Sequence, residues 1–500
     1  MHGGENNVLV RLFERLEWSY RTLEWPDRYY FGPRSDEKND ERFDNDDTDD
    51  TDDTALRGIV DADTAEAHPD IAEAHRLLAD LPDAPWVLKT ESDASASASQ
   101  IPIDDLESSE TKHVDCTALQ WLTDRVKASK RVIAVAENVY ANDFGCSLST
   151  MGMRETAVEQ REWCHGEEYI LLDEGRHLGD LVREVSSGLD VRLETVARTV
   201  EWSRKEKETN GNEGVTGSFN DGGAAVKTRC GKTFRASVAI IVAAPMSALK
   251  ETHWSPAFAT KLLFDPPLPR AKRDAIDAIQ MSDAVKICLA FRETFWPKDI
   301  WNVVCCDAFL PECWMLEYDA AENENENESD ANRSDVAGRA IVTFFACGET
   351  AKAVARRIRE DPERGEAGVV EQALEQLDAM FGGDAGGARG DAAPATKRFV
   401  AAKVFPWSAV DSVGGAYTHP SVYAAGARRE LQKPEYDGAL FFAGEAANVT
   451  CNPCMQGAMT TGLEAAAAAA AERAARTGTP LPEGFGEEDW FVECFGSDSS

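Results

Sequence analysis

The sequence contains no G-x-G-x-x-G. It therefore lacks the strand–turn–helix element whose glycines let backbone close around a dinucleotide pyrophosphate. The nearest approximation, starting at Gly484, reads GFGEED; it lacks the last glycine and lies close to the C-terminus. No apolar run approaches the roughly eighteen residues of a membrane-spanning helix. The N-terminus, MHGGENNVLV, has no basic region followed by an apolar core, so no secretory signal is read. The twelve cysteines show no disulfide-framework spacing. This fits reduced thiols in a soluble intracellular protein, cytoplasmic or nuclear. Cys451-Asn-Pro-Cys454 is a single C-x-x-C without a second such pair or a His pair at zinc-finger spacing, so no metal site is expected. A thiol–disulfide pair stays open there beside the plainer reading of two buried cysteines.

Basic charge is also scarce: 52 Lys and Arg face 89 Asp and Glu, a formal charge of −37. Much of the excess lies in runs, not on periodic faces, and reads as acidic insertions with a solvated surface. A field of that sign disfavours nucleic acid and anionic membrane as partners and favours cationic ligands. Residues 36–54, 92–100, 203–223, 319–336 and 382–393 are polar, acidic or glycine-rich. They have too little apolar surface to offset ordering entropy, so disordered loops are expected there.

Between these loops the apolar patterns alternate in type. Val132 to Val139 fits a helix or a strand. Val191 to Trp202 alternates in part as a half-buried strand does. Ala236 to Ala244 is a nearly continuous apolar run ended by Pro245, which predicts a buried strand. Val285 to Phe291 and Ala340 to Phe345 read as strands. Val369 to Phe381 and Leu463 to Arg476 read as helices, the second stopped by Gly478 and Pro480. The mixture predicts an α/β or α+β enzyme of two or three lobes.

The most informative stretch runs from Leu440 to Glu472, LFFAGEAANVTCNPCMQGAMTTGLEAAAAAAAE. A short apolar strand meets Gly444-Glu445, a loop follows, and Gly457-Ala458 opens an alanine-rich helix. Strand, turn and helix N-terminus in that order can present backbone N–H groups to an anion. This segment resembles the C-terminal flavin-contacting segment of the flavin-dependent amine oxidases, which include monoamine oxidases, polyamine oxidases and lysine-specific histone demethylases. Further segments fall in that family's order: ANDFGCSLSTMG (Ala141 to Gly152), LDVRLETVARTVEW (Leu189 to Trp202), AIIVAAPMSALK (Ala239 to Lys250), FDPPLPRAKRDAI (Phe264 to Ile276), DAVKICLAFRETFWP (Asp283 to Pro297) and W-x-x-x-D-x-x-x-GAY (Trp407 to Tyr417). The likeness covers most of residues 1–475 outside the insertions.

The resemblance implies a Rossmann-like FAD-binding domain and a substrate domain of mixed sheet and helices. It implies FAD, an amine substrate and oxygen. Lys286, which from pattern alone would simply point to solvent, matches the lysine that holds a water beneath the flavin. A cation there stabilises charge on the reduced cofactor. Tyr417 and Trp407 match aromatic positions near the flavin, where an amine is held by apolar and cation–π contact; core packing is the plainer reading of Trp407. The implied cofactor contacts are Gly444, Glu445, Ala446, Cys454, Met455, Ala458, Ala197 and Pro245. Glu445 matches a glutamate at the ribityl–pyrophosphate region, Met455 a backbone N–H at the ring edge, and Ala197 a backbone contact to adenine. Monoamine oxidases carry a flavin-bonded cysteine where this chain has Ala416, so non-covalent FAD is implied. Cys454 replaces the threonine or tyrosine usual in relatives.

Set against the family, HGGENNVLVRLFERL resembles the segment that follows the opening βαβ unit, so that unit is expected to be absent from this sequence, through a mis-assigned start in an incomplete gene model or, as the alternative, a genuinely shortened protein. The expected organisation is a remnant of the FAD-domain region at 1–30, an acidic insertion at 31–54, a mainly helical substrate part at 55–185, FAD-binding parts at 186–250 and 401–478, substrate domain at 251–400 and a tail at 479–500. Without the missing unit, neighbouring strands should expose edges and apolar surface, and FAD should bind weakly or not at all. The activity implied is oxidation of a C–N bond in a polyamine or related secondary amine. The alternative is a non-catalytic protein of this fold whose acidic segments bind a basic partner. Lys286 and the Trp407 to Tyr417 pattern disfavour a flavin desaturase or porphyrinogen oxidase.

Overall fold

The computed structural model describes residues 3–4, 6–23, 28–32, 58–78, 115–166, 168–173, 175–203, 223–250, 261–306, 308–317, 340–383, 390–410, 413–451 and 453–495. The segments 36–54, 92–100 and 319–336 lie outside the described residues, as do 204–222 and 384–389 within the other two expected insertions. The margins of the last are ordered, contrary to expectation. The Gly383 N–H donates to the Asp391 carbonyl at 2.9 Å. The Asp391 carboxylate pairs with Lys397 at 2.6 Å and Arg398 at 3.0 Å, which ties residues 390–393 to the helix Pro394–Arg398.

The largest sheet runs in the order Phe399–Pro406, Ala284–Phe291, Ala340–Cys347, Glu312–Glu317, Asn302–Cys305, Arg28–Phe31, Gly58–Asp61. Neighbours are antiparallel except Asn302–Cys305 with Arg28–Phe31. Strand side chains alternate between faces. Val285, Ile287, Leu289 and Phe291 therefore share one face with Phe344, Cys313, Met315 and Val303. That face packs on Val354, Val369, Ala373, Leu377 and Phe381 of the helices Gly348–Glu360 and Gly365–Phe381. The strands expected at Val285 to Phe291 and Ala340 to Phe345, and the helix expected at Val369 to Phe381, are all present and somewhat longer. A second core joins the sheet's Tyr29, Phe31 and Val304 to helices including Pro69–Leu78 and Lys130–Ala136. Val132 to Val139 is thus helical. Ser129 accepts from the Val132 N–H at 3.1 Å, starting the helix with an oxygen cap.

The third region holds the Leu440 segment. Leu440–Phe442 pairs in parallel with Ile240–Val242, and the helix Met455–Thr477 follows, ended by Gly478 in the left-handed conformation. The apolar run at Ala236 to Ala244 corrects its reading. Only Ile240–Val242 is strand in its centre, and Ile241 is 40% exposed. The reason is that this parallel sheet has two strands among the described residues, so one apolar side chain has no layer above it. Val191 to Trp202 is corrected likewise. The strand is Ala197–Ser203, and Leu189, Val191 and Leu193, which precede it, are all more than half exposed.

Lys272 joins this region together from inside. It is fully buried, yet its Nζ donates to the carbonyls of Leu431 at 3.1 Å and Lys433 at 2.6 Å and lies 3.3 Å from Glu435. It thereby satisfies carbonyls left open at the end of the helix Ala427–Gln432. No helix among the described residues is long and apolar enough to cross a membrane.

Candidate active site

Residues directly opposite one another on adjacent strands point to the same face. Lys286 stands opposite Phe405 on one side and Phe345 on the other, and Phe345 stands opposite Glu312. Phe405, Lys286, Phe345 and Glu312 thus form a row on the face turned away from the helix-covered core. Lys286 is exposed, as its pattern alone predicted, and its Nζ lies 5.6 Å from the Phe345 ring centroid. The sheet is what makes that exposure useful, because it sets a cation on the floor of an open face between two aromatic rings.

Tyr417 comes to this floor from the Trp407 to Tyr417 segment. Its hydroxyl hydrogen-bonds the Cys347 thiol, and its ring lies against Gly145, which adopts φ +71°. A methyl at Gly145 would overlap that ring. Burial, the neighbouring Cys347 thiol and Asp143 push the Tyr417 hydroxyl well above its ordinary value. Trp407 is stacked on Phe405, with centroids 6.3 Å apart and planes 19° apart, and is 38% exposed. No ring contact joins Trp407 to Tyr417 among the described residues. Trp407 reaches the row through Phe405, which stands opposite Lys286, whereas Tyr417 is tied to Cys347 two residues along the strand from Phe345.

The Leu440 segment supplies the other wall. Gly444, at φ +115°, has open space where a side chain would stand. Glu445 is half-buried and accepts from the Thr418 hydroxyl at 2.6 Å. Thr418 in turn accepts from Arg428 at 2.8 Å, and Arg428 donates to Glu155 at 2.8 Å. Glu155 also accepts from the Ser421 N–H at 2.7 Å. This buried chain fixes the Glu445 carboxylate from behind. Burial raises the Glu445 carboxyl; Arg428 and Thr418 oppose the rise. His419, beside the chain, is driven down to about 4 by burial and stays neutral.

Ala446 is buried and accepts from Arg428 through its carbonyl at 3.1 Å. Cys454 is the N-cap residue of the helix Met455–Thr477 and makes no side-chain cap bond. The N–H groups of Met455, Gln456 and Gly457 therefore precede the first intrahelical bond, in which Ala458 donates to the Cys454 carbonyl at 3.2 Å. Met455 is itself 40% exposed. Ala197 is exposed at the start of its strand, and Pro245 follows the carboxyl end of Ile240–Val242, next to Gly444 after Leu440–Phe442. Ligands of parallel sheets sit at that carboxyl edge. Open space at Gly444, a polar group held at Glu445 and a helix start without a side-chain cap fit the ribityl and ring end of a flavin nucleotide. A Gly-rich turn for its pyrophosphate is not among these residues. Burial raises the Cys451 thiol to about 12 and the Cys454 thiol further, so both are protonated. No group of His, Cys, Asp and Glu among the described residues could hold a metal ion.

Three participants escaped the sequence reading. Glu312, its neighbour Trp314 and the paired Asn302 lie in a stretch without a motif, and only the strand register shows that they share the face of Lys286.

A profile of the flavin containing amine oxidoreductases matches residues 49–470. The chain belongs to that family. The chain is 22% identical over 321 residues to lysine-specific histone demethylase 1B of Mus musculus, covering 63% of this chain and 32% of that one. It is 26% identical over 293 residues to polyamine oxidase 3 of Oryza sativa subsp. japonica, covering 57% and 46%. The chain thus spans less than half the length of either relative. Among solved structures, cyclohexylamine oxidase from Brevibacterium oxydans IH-35A superposes with a TM-score of 0.62 at 16% identity, covering 95% of this chain and 87% of that one. Wild-type putrescine oxidase bound to putrescine superposes with a TM-score of 0.57 at 14% identity, covering 93% and 85%. At these identities the likeness is one of fold: an α/β FAD-binding domain with a substrate domain.

Proposed function

We propose that this amine oxidoreductase is an FAD-dependent amine oxidase, with FAD held non-covalently, that oxidises a C–N bond of a polyamine or related secondary amine. The products are an imine, hydrolysed to an aldehyde and a shorter amine, and hydrogen peroxide from oxygen. One observation carries the reading: Lys286 stands exposed on the sheet floor between Phe405 and Phe345, in the same row as Glu312. FAD, when bound, supplies the hydride acceptor and the route of electrons to oxygen. The chain's own residues do the rest. Gly444, Glu445, Ala446, Cys454, Met455 and Ala458, with Ala197 and Pro245, would hold it. Lys286 offers a fixed cation and proton donors where negative charge develops. Tyr417 and Trp407 offer apolar walls that orient the amine and exclude water.

The test is peroxide release from protein loaded with FAD and supplied with spermidine. Lys286→Met is expected to lower the rate about 100-fold or more while bound flavin is retained, the scale seen when one preorganised electrostatic group is removed. Flavin-loaded protein that is not reduced by any amine under anaerobic conditions would overturn the proposal in favour of a non-catalytic role.

A further inference from the structure

On the side of the sheet away from Lys286, the helices Gly348–Glu360 and Gly365–Phe381 border a cavity of about 360 Å³. That volume lies in the range of small-molecule sites. Val354 and Val369 form its apolar floor, and Phe309 forms one wall. The surroundings are fixed. Gln376 holds the Leu310 backbone twice, accepting from its N–H at 3.0 Å and donating to its carbonyl at 2.8 Å, which pins the neighbouring Phe309. The two helices approach closely at Gly365, where a methyl would stand 2.5 Å from the Arg357 carbonyl oxygen. The Arg357 side chain lies across Gly368, where a methyl would overlap its Nη2, and its Nη1 donates to Gln372 Oε1 at 3.2 Å. A glycine thus gives this guanidinium room, and an amide orients it.

Charges of both signs line this cavity, Arg356 and Arg357 against Glu360 and Asp361. Asp361 is committed, since its Oδ1 accepts from the Arg364 N–H at 3.0 Å. Among the described residues, no hydrogen bond or ion pair engages the side chains of Arg356 and Glu360. Glu360 is also the last residue of its helix, where the backbone dipole favours a cation. A guanidinium takes a carboxylate through two parallel N–H bonds. A simple anion in the cavity would meet Glu360, and a simple cation would meet two arginines. A zwitterion satisfies both signs, and an apolar group on it can cover Val354 and Val369 and meet the Phe309 ring. We propose that this cavity binds a free α-amino acid with an apolar or aromatic side chain. Arg357, with Arg356, takes the carboxylate, and Glu360 takes the ammonium. The site is separate from the Lys286 row, because Val354 and Val369 pack on the opposite face of the sheet, and it does not rest on the amine-oxidase reading.

Isothermal titration calorimetry of the full chain with L-phenylalanine tests this. Two relatives of the probe divide its charges: hydrocinnamate lacks the ammonium, and L-phenylalaninamide lacks the carboxylate. L-Phenylalanine is expected to bind with a Kd of about 1 mM or tighter, the scale for a ligand of its size. Each relative should bind about 10-fold more weakly or worse, the scale for losing one charged hydrogen-bond partner. Arg357→Met should weaken L-phenylalanine to a similar degree. Gly368→Ala puts a better helix former in a helix interior, so Tm should not fall, yet the displaced guanidinium should weaken binding in the same way. Glu360→Gln should weaken L-phenylalanine and leave hydrocinnamate unchanged or tighter. No binding of L-phenylalanine would overturn the proposal. So would equal affinity for L-phenylalaninamide, or affinity untouched by Arg357→Met and Gly368→Ala alike. Displacement by spermidine in those unaffected variants would place the amino acid at the Lys286 row instead. The expected pattern in a protein that oxidises no amine would uphold this site and refute only the oxidase.

Discussion

Glu312 makes a quantitative demand on stability that needs neither cofactor nor substrate. Its carboxyl is carried from an ordinary 4.5 to about 7, chiefly by burial, with Asp143 adding to the rise and Asn302, Trp314 and Lys286 opposing it. A rise of that size corresponds to roughly 3 kcal/mol against the ionised form in the folded chain. The folded value lies above the unfolded one, so the native state binds the proton more tightly. The stabilising contribution is complete below about 4.5 and is lost as pH rises through 7. Glu312→Gln keeps the shape and removes the titration. Urea unfolding of both proteins should therefore give a stability difference that changes by roughly 3 kcal/mol in favour of the variant between pH 4.5 and pH 8. Comparing the two proteins at each pH cancels the titrating groups that do not interact with Glu312. Parallel stability–pH curves would show that Glu312 is not desolvated in the folded chain, and the argument from its burial would fall.

Other predictions follow from the packing. Gly145→Ala places a methyl in the Tyr417 ring at a positive φ, so a loss of about 3 kcal/mol is expected in urea unfolding, with spermidine oxidation reduced more than the population of folded protein explains. Lys272→Met removes the donor to the Leu431 and Lys433 carbonyls and leaves Glu435 unpaired; a loss of about 3–5 kcal/mol is expected. Arg428→Met unties Thr418 and Glu155 and frees the Glu445 carboxylate, so FAD retention measured by absorbance should fall.

Where sequence and structure agree, local signals and global packing pointed the same way. Val285 to Phe291 alternates cleanly because one face meets helices and the other meets the site. Gly478 ended its helix as a left-handed cap should. The failures have physical causes. The run at Ala236 to Ala244 has the composition of a buried strand, but composition cannot say how many neighbours a strand will find, and among the described residues it finds one. Lys286 could be singled out only by resemblance, since an exposed lysine in a strand is ordinary. Glu312 was invisible for a different reason. Its meaning depends on Phe345 opposite it and Lys286 beyond, residues 33 and 26 positions away in the chain, and register across three strands is not written in any one of them.

The exposed apolar stretch at Leu189, Val191 and Leu193, together with Ile241, also bears on how copies of this protein meet one another in solution. Three outward apolar side chains on one short turn-rich segment give another copy a surface against which they can be buried. The charge of −37 works against that encounter, since like-charged molecules repel at distances beyond contact. The repulsion is screened over about 10 Å at 0.1 M salt and over about 3 Å at 1 M. Colloidal behaviour should thus invert the usual expectation for a highly charged protein: monodisperse in dilute buffer, and progressively self-associated as sodium chloride is added. Light scattering across a salt series reads this directly. Leu193→Asp should flatten the response, by adding charge where the apolar stretch is most open.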